Sequence, residues 1–252
     1  MRLAAFCEAP ADFRLASGLI DRVLRDHGPG WVVDNLDQPD AVRSWQPDGH
    51  GREFFKIHDL DKYVVQWSVR VPHGHFDGRP GGAGSLMART VFRLARTLER
   101  SPGTRFDGVV LMTDMDDDGD ARRSGLEAAR AEAQALVRFE IVLGSPDPKR
   151  ETWVLAGFDP VDDAERDRLD ELRRELGFSP THEAERLRAK RDHESRSAKR
   201  VLAVLTNDDQ VREERCWTEA SLETLRARGS KSGLVEFLHE VRERLLPLFG
   251  RQ

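Results

Sequence analysis

Residues 2–7 (RLAAFC) form a short apolar run, and beyond it Leu15, Leu19, Val23 and Leu24 return at the 3.6-residue period of a helix that Asp12 is placed to cap. The chain therefore opens as strand, loop and helix. Residues 31–36 (WVVDNL) suggest a second strand. Residues 39–80 are rich in Gly, Pro, Asp and His and read as an insertion, with a β-like segment at 63–71. After the glycine-rich turn at 81–84, Met87, Val91, Leu94, Ala95 and Leu98 restore the helical period. Residues 109–112 (VVLM) are wholly apolar and stop abruptly at TDMDDDGD. Followed by an Ala-rich helical stretch at 121–136, this run suits a central parallel strand buried on both faces. Residues 139–143 supply another strand, and SPDPKRETW opens a further loop-to-helix passage.

From residue 162 onward the pattern is helical, with Leu169, Leu172 and Leu176 early and Leu234, Phe237, Leu238, Val241, Leu245 and Leu248 at the close. Between them, residues 181–200 interleave Arg and Lys with Glu and Asp, which reads as a solvated helix or mobile loop rather than a phosphate-binding patch. Strands alternating with helices predict an α/β fold: a mostly parallel, Rossmann-like sheet flanked by helices, with a C-terminal helical extension. The expected division is residues 1–160 for the α/β domain, insertion included, and 161–252 for the extension packed on it.

At 252 residues and 38% hydrophobic content the chain has enough apolar material for a core. Its formal charge of -5 excludes a uniformly basic nucleic-acid binder, so any such contact must be local or supplied by a partner. Cys7 and Cys216 are far apart and fit neither a disulfide framework nor a zinc knuckle, which predicts a reduced, cytoplasmic setting. No stretch approaches the roughly 20 apolar residues of a membrane span, and the N-terminal residues lack a signal peptide's apolar run.

The chemistry gathers where apolar strands stop. Cys7 hands over to Glu8, Met112 to Asp114 and Asp116, and Leu143 to Ser145, Lys149 and Glu151. Parallel strands would place all three groups along one edge of the sheet, where open α/β sheets bind ligands. Crowded carboxylates raise one another's pKa unless a cation compensates, and an oxygen-only donor set suits Mg²⁺ or Mn²⁺. An ion held there could coordinate a phosphate oxygen, activate water and stabilise the leaving oxygen. Against this, acidic residues before a helix also serve as caps and complement its dipole. Asp114, Asp116, Asp118 and Gly119 match the first half of an EF-hand loop, but its twelfth position is Gly125 rather than Glu.

These segments carry a family resemblance. FCEAPAD resembles the first Toprim motif, VVLMTDMDDDGD its Asp-x-Asp motif, and IVLGSPDPKRETWVLAGF is similar to the third region of nuclease-type Toprim proteins. The resemblance spans about residues 1–160, and SAKRVLAVLT in the closing part is similar to small stand-alone Toprim-like proteins of bacterial defence loci. It implies a metal-dependent nuclease, acting on DNA ahead of RNA, in anti-phage defence, with a separate ATPase as partner and room for an oligomer. Carried over residue by residue, it implies Glu8, Asp114, Asp116, Lys149 and Glu151 as the catalytic set. The metal ligands would be Glu8, Asp114, Asp116 and Glu151, with Asp12 and Asp118 as auxiliaries and Mg²⁺ or Mn²⁺ as the cofactor.

The sequence departs from the family at Ala9, where a Gly usually follows the motif Glu and lets the backbone turn. The single tyrosine, Tyr63, lies away from the motifs, and no zinc motif is present, which favours hydrolysis over strand passage or priming. Two rival readings stand beside this one. The first is a Toprim-fold binding or sensing subunit without turnover. The second is a haloacid-dehalogenase-like phosphatase, which would leave Glu8 without a role. Lesser candidates are His58, His73 and His75 in the insertion, and GRPGGAGSLMAR as a phosphate-cradling turn with Arg79 and Arg89. Trp153 is expected to pack beneath the third acidic loop.

Overall fold

The structure is a computed structural model that describes residues 1–38, 40–45, 53–72, 75–76, 79–101, 103–116 and 118–250. In chain order its elements are β1 (Leu3–Cys7), α1 (Pro10–His27), α2 (Gly30–Asn35), β2 (Phe55–Lys56), α3 (Leu60–Gln66), β3 (His75–Phe76), β4 (Arg79–Pro80) and α4 (Ser85–Leu98). Then come β5 (Gly108–Met112), α5 (Gly119–Gln134), β6 (Glu140–Gly144), α6 (Glu151–Ala156), α7 (Asp163–Leu176), α8 (Ala198–Thr206), α9 (Gln210–Thr218), α10 (Leu222–Arg228) and α11 (Leu234–Glu240).

Four strands pair in the order β2-β1-β5-β6, all parallel, with Ala5 opposite Val110 and Val110 opposite Val142. The two central strands contain only apolar residues and glycine and are buried throughout, as a sheet covered on both faces requires. Alternation along the strands sorts the core. Leu3, Ala5, Cys7, Val110, Met112 and Val142 face α1 and the C-terminal helices, while Ala4, Phe6, Val109, Leu111, Ile141 and Leu143 face α3, α4 and α5. The chain leaves β1 for β2 on one side and returns to β5 on the other. The strand order therefore reverses between β1 and β5, and the crevice beyond their carboxyl ends is the switch point of the fold.

Three elements differ from the expectation. Residues 31–36 are not a strand: residues 31–35 belong to α2 and Leu36 is its C-cap, and the carbonyl of the N-cap residue Pro29 accepts the Val32 and Val33 N–H groups. Only Val32 among them is fully buried within the helix, and Trp31 is 43% exposed, so the run lacks the two buried faces of a central strand. The β-like segment at 63–71 is instead the end of α3 followed by a turn, with Leu60 and Tyr63 one helical turn apart against the core. Phe55 and Lys56 supply the edge strand, so the stretch read as an insertion contributes to the central sheet. Asp12 is not the helix cap: Ala9 holds that position, and Asp12, on the third helical residue, accepts the Ala9 N–H at 2.8 Å.

The C-terminal helices form a second layer over α1 and β6. α7 and α9 are joined by a buried pair, in which the Arg212 guanidinium donates to both Glu165 oxygens at 2.6 and 2.8 Å and to the Asp159 carbonyl at 2.6 Å. The charged stretch 181–200 is anchored rather than solvated throughout: Thr181, Ala184, Leu187 and Ser197 are buried, and Arg188 bridges to Ser197. α6 meets α9 at Gly157, where an added Cβ would lie 1.9 Å from the Cys216 carbonyl oxygen. Gly157→Ala is accordingly expected to destabilise the protein by about 1–3 kcal/mol or more, read as a lower urea midpoint at unchanged slope. Among the described residues, no helix is long and apolar enough to cross a membrane.

Candidate functional site

The loops after β5 and β6 continue side by side past the sheet. Thr113 donates its N–H to Gly144 at 3.1 Å, Met115 to Pro146 at 2.9 Å and Asp116 to Pro148 at 2.9 Å. Asp116 takes a left-handed conformation, φ 46°, which a short polar side chain tolerates better than most. The third loop is held from behind by the C-terminal part: the Asp147 N–H and the Trp153 indole N–H both donate to the Ser232 carbonyl, at 2.9 and 2.6 Å. Gly233, φ 81°, sits where a Cβ would lie 2.3 Å from the Ser145 carbonyl oxygen. Trp153 is fully buried and packs against Phe237 beneath the loop, as the sequence suggests.

Glu8, Asp12, Asp114 and Glu151 come together at the switch point. One Glu8 oxygen, Oε1, accepts the Thr113 hydroxyl at 2.6 Å and the Asp114 N–H at 3.2 Å, and Asp114 Oδ1 accepts the Arg150 N–H at 2.9 Å. The Arg150 side chain, 11% exposed, reaches Glu213 at 2.5 Å, Glu151 at 3.2 Å and Asp12 at 3.5 Å. Burial, reinforced by the charges of Glu8 and Glu151, pushes the Asp114 carboxyl up to about 8. Burial also raises Asp12, against the opposing pull of the Ala9 N–H and Arg150. Burial disfavours the Arg150 cation, but Glu151, Glu213 and Asp12 more than offset it and hold its pKa above the ordinary value.

Asp116 and Asp118 occupy a different position. Both carboxylates turn to Arg122, at 3.3 and 3.4 Å, and the same guanidinium donates to the Asp114 carbonyl at 2.6 Å. The expectation that Glu8, Asp114 and Asp116 share one cation meets this geometry: Glu8 and Asp114 adjoin, whereas Asp116 is held by an arginine. Lys149 lines a neighbouring cavity of about 390 Å³ with Asp116, Asp118, Arg122 and Arg188, and its side chain makes no ion pair with the inner carboxylates. Among the described residues, no three Asp, Glu, His or Cys side chains form a ready cation cage.

Of the lesser candidates, His58 stands at the mouth with Nε2 3.8 Å from Glu8 Oε2. His73 and the side chains of His75 and Arg79 lie outside the described residues. Arg89 is bound to Glu132 rather than free for phosphate. The glycine-rich turn before α4 packs on α5, where a Cβ on Gly125 would lie 2.2 Å from the Ala83 carbonyl oxygen, so close helix approach accounts for its small residues.

Sequence reasoning passed over Arg150, Thr113 and Glu213. Arg150 had a local signal, since it stands between Lys149 and Glu151 in the same loop. Glu213 had none, because α9 reaches the site only through tertiary packing.

Compared with family models, with curated proteins and with solved structures, the chain matches none.

Proposed function

We propose that this protein is a divalent-metal-dependent nuclease of Toprim type, hydrolysing phosphodiester bonds at the crevice between β1 and β5. The observation that carries the reading is the convergence of Glu8, Asp12, Asp114 and Glu151, from three separate segments, on the switch point of a parallel sheet. The donor set fits Mg²⁺ or Mn²⁺. Glu8 Oε2 and Asp114 Oδ2 accept no hydrogen bond from the described residues, while their other oxygens are fixed by the Thr113 hydroxyl and by backbone N–H groups. Mg²⁺ is commonly held by one or two carboxylates, with water and substrate phosphate completing its shell, so a closed protein cage is not required. When bound, the ion would supply Lewis-acid activation of the phosphate and of the attacking water.

The remaining residues have roles that follow from their positions. Arg150 pairs with Asp12, Glu151 and Glu213 and orients Asp114 through its backbone N–H. Lys149 lines the adjoining cavity and offers a local cation for a phosphodiester backbone, which a chain of net charge -5 needs near its acidic crevice; Arg122 and Arg188 beside it are already paired with Asp116, Asp118 and Asp147. Ala9, φ -141° and ψ 164°, is in extended backbone open to any residue, so the departure from glycine leaves the turn unstrained.

One observation favours the rival, a Toprim-fold binding subunit without turnover: Arg150 already compensates part of the carboxylate cluster. Purified protein incubated with linear, supercoiled and single-stranded DNA and with RNA, under Mg²⁺ or Mn²⁺, separates the two. The expected result is cleavage of DNA that stops in chelator and falls by about a hundredfold or more in Glu8→Gln. Calorimetric titration with Mn²⁺ runs beside it, and metal binding without cleavage, alone and with an added ATPase partner, would support the rival.

A further inference from the structure

A second cavity, of about 330 Å³, lies between the C-terminal halves of α4 and α5 and the segment after α3. These helices run antiparallel to the strands they connect, so this end of the molecule is opposite the acidic crevice. Arg89, Arg93 and Arg96 recur at helical spacing along one face of α4, Arg100 follows in the turn beyond its end, and Arg70 faces them from the other side of the cavity. The one carboxylate among the described lining residues, Glu132, is bound by Arg89. Among the described residues, Arg70, Arg93, Arg96 and Arg100 make no ion pair; the guanidinium of Arg93 donates only to the Arg70 carbonyl, at 3.0 Å. Other clustered arginines are matched to acids, as Arg130 is to Glu240 and Arg212 to Glu165, whereas this group of four is gathered round one hollow.

Gathering cations without counter-charge is unfavourable, and a bound anion reverses the sign of that interaction. Guanidinium groups present paired donors that match phosphate oxygens. The floor between them is apolar, made of Val69, Phe92, Ala129 and Ala133, and Leu136 is left 56% exposed at its rim. We propose that this cavity binds a single nucleoside di- or triphosphate, with the phosphates on Arg70, Arg93, Arg96 and Arg100 and the base over the apolar floor. A concave hollow in the size range of small-ligand sites suits one nucleotide rather than the length of a polynucleotide. The inference rests on this cavity alone and does not depend on the nuclease reading.

The test is calorimetric titration of the full chain in EDTA, so that no metal recruits a nucleotide to the acidic crevice, using ATP, ADP, AMP, inorganic tripolyphosphate and a short single-stranded oligodeoxynucleotide. ATP and ADP are expected to bind saturably, with AMP and tripolyphosphate each about tenfold weaker or more. The double variant Arg96→Gln/Arg100→Gln should lose at least about thirtyfold in ATP affinity. Its unliganded melting temperature should stay unchanged, and Arg166→Gln should bind as the native protein does. No saturable binding, or binding that survives in the double variant, overturns the proposal. So does tripolyphosphate binding as tightly as ATP, or an oligonucleotide outcompeting ATP for these arginines.

Discussion

Asp114→Asn is expected to abolish metal-dependent cleavage and, in the same molecule, to make the metal-free protein harder to unfold at pH 8. The carboxyl of Asp114 is raised from 3.8 to about 8 by burial and by the neighbouring charges of Glu8 and Glu151. Between those two pH values the folded protein binds a proton that the unfolded chain has released. The stability contributed by the protonated form is complete below pH 4 and is lost progressively as pH rises through 8. Asparagine keeps an oxygen acceptor for the Arg150 N–H but never ionises, so it removes that loss, worth roughly 2–4 kcal/mol at pH 8 once relaxation and water entry are allowed for. Urea denaturation of both proteins in EDTA from pH 5 to 9 measures it: the curves should diverge with rising pH, the variant being the more stable. Parallel curves would show that Asp114 does not titrate in this range. On the proposed metal site, the same linkage predicts that Mn²⁺ binding will release a proton near neutral pH and tighten toward pH 8, because the cation needs the ionised carboxylate.

Arg150→Met should act in the opposite direction. The guanidinium is the cation shared by Asp12, Glu151 and Glu213, and removing it leaves three carboxylates in a largely buried pocket without their counter-charge. Breaking such a network costs about 3–5 kcal/mol, a large share of the stability of a typical domain. The loss should be greatest at neutral and alkaline pH and shrink toward pH 4, where the carboxylates can take up protons. Adding Glu213→Gln to Arg150→Met should recover part of it, and that recovery distinguishes charge imbalance from lost packing. Guanidinium melts of the two variants at pH 5 and pH 8 provide the comparison.

The function proposed for the crevice and the stability of the metal-free protein are thus set against each other. Asp114 is costly to ionise where it stands, which is the condition under which a divalent ion adds most. Arg150 limits the cost by compensating the outer members of the cluster, leaving Glu8 Oε2 and Asp114 Oδ2 without a hydrogen bond from the described residues, with His58 3.8 Å from Glu8 Oε2.

Much of this was legible in the order of residues. The apolar runs of β1, β5 and β6, each ending at a polar loop, established a parallel sheet with its chemistry at one edge, because a strand buried on both faces must be apolar along its whole length. Periodicity likewise located α1, α4 and the closing helices, since each lays a single apolar stripe on the core, and Ala-rich composition after the strand located α5. Short segments misled for the same reason. In 31–36 and 63–71 too few residues contact the core for a period to emerge, and what surrounds them decided the outcome. Tertiary structure alone settled which charges meet. Asp116 lies two residues from Asp114 yet faces Arg122, while Glu213 lies 63 residues from Arg150 and joins it at 2.5 Å. Side-chain pairing depends on where loops turn and which helix packs behind them, and those long-range contacts leave no local trace in the chain.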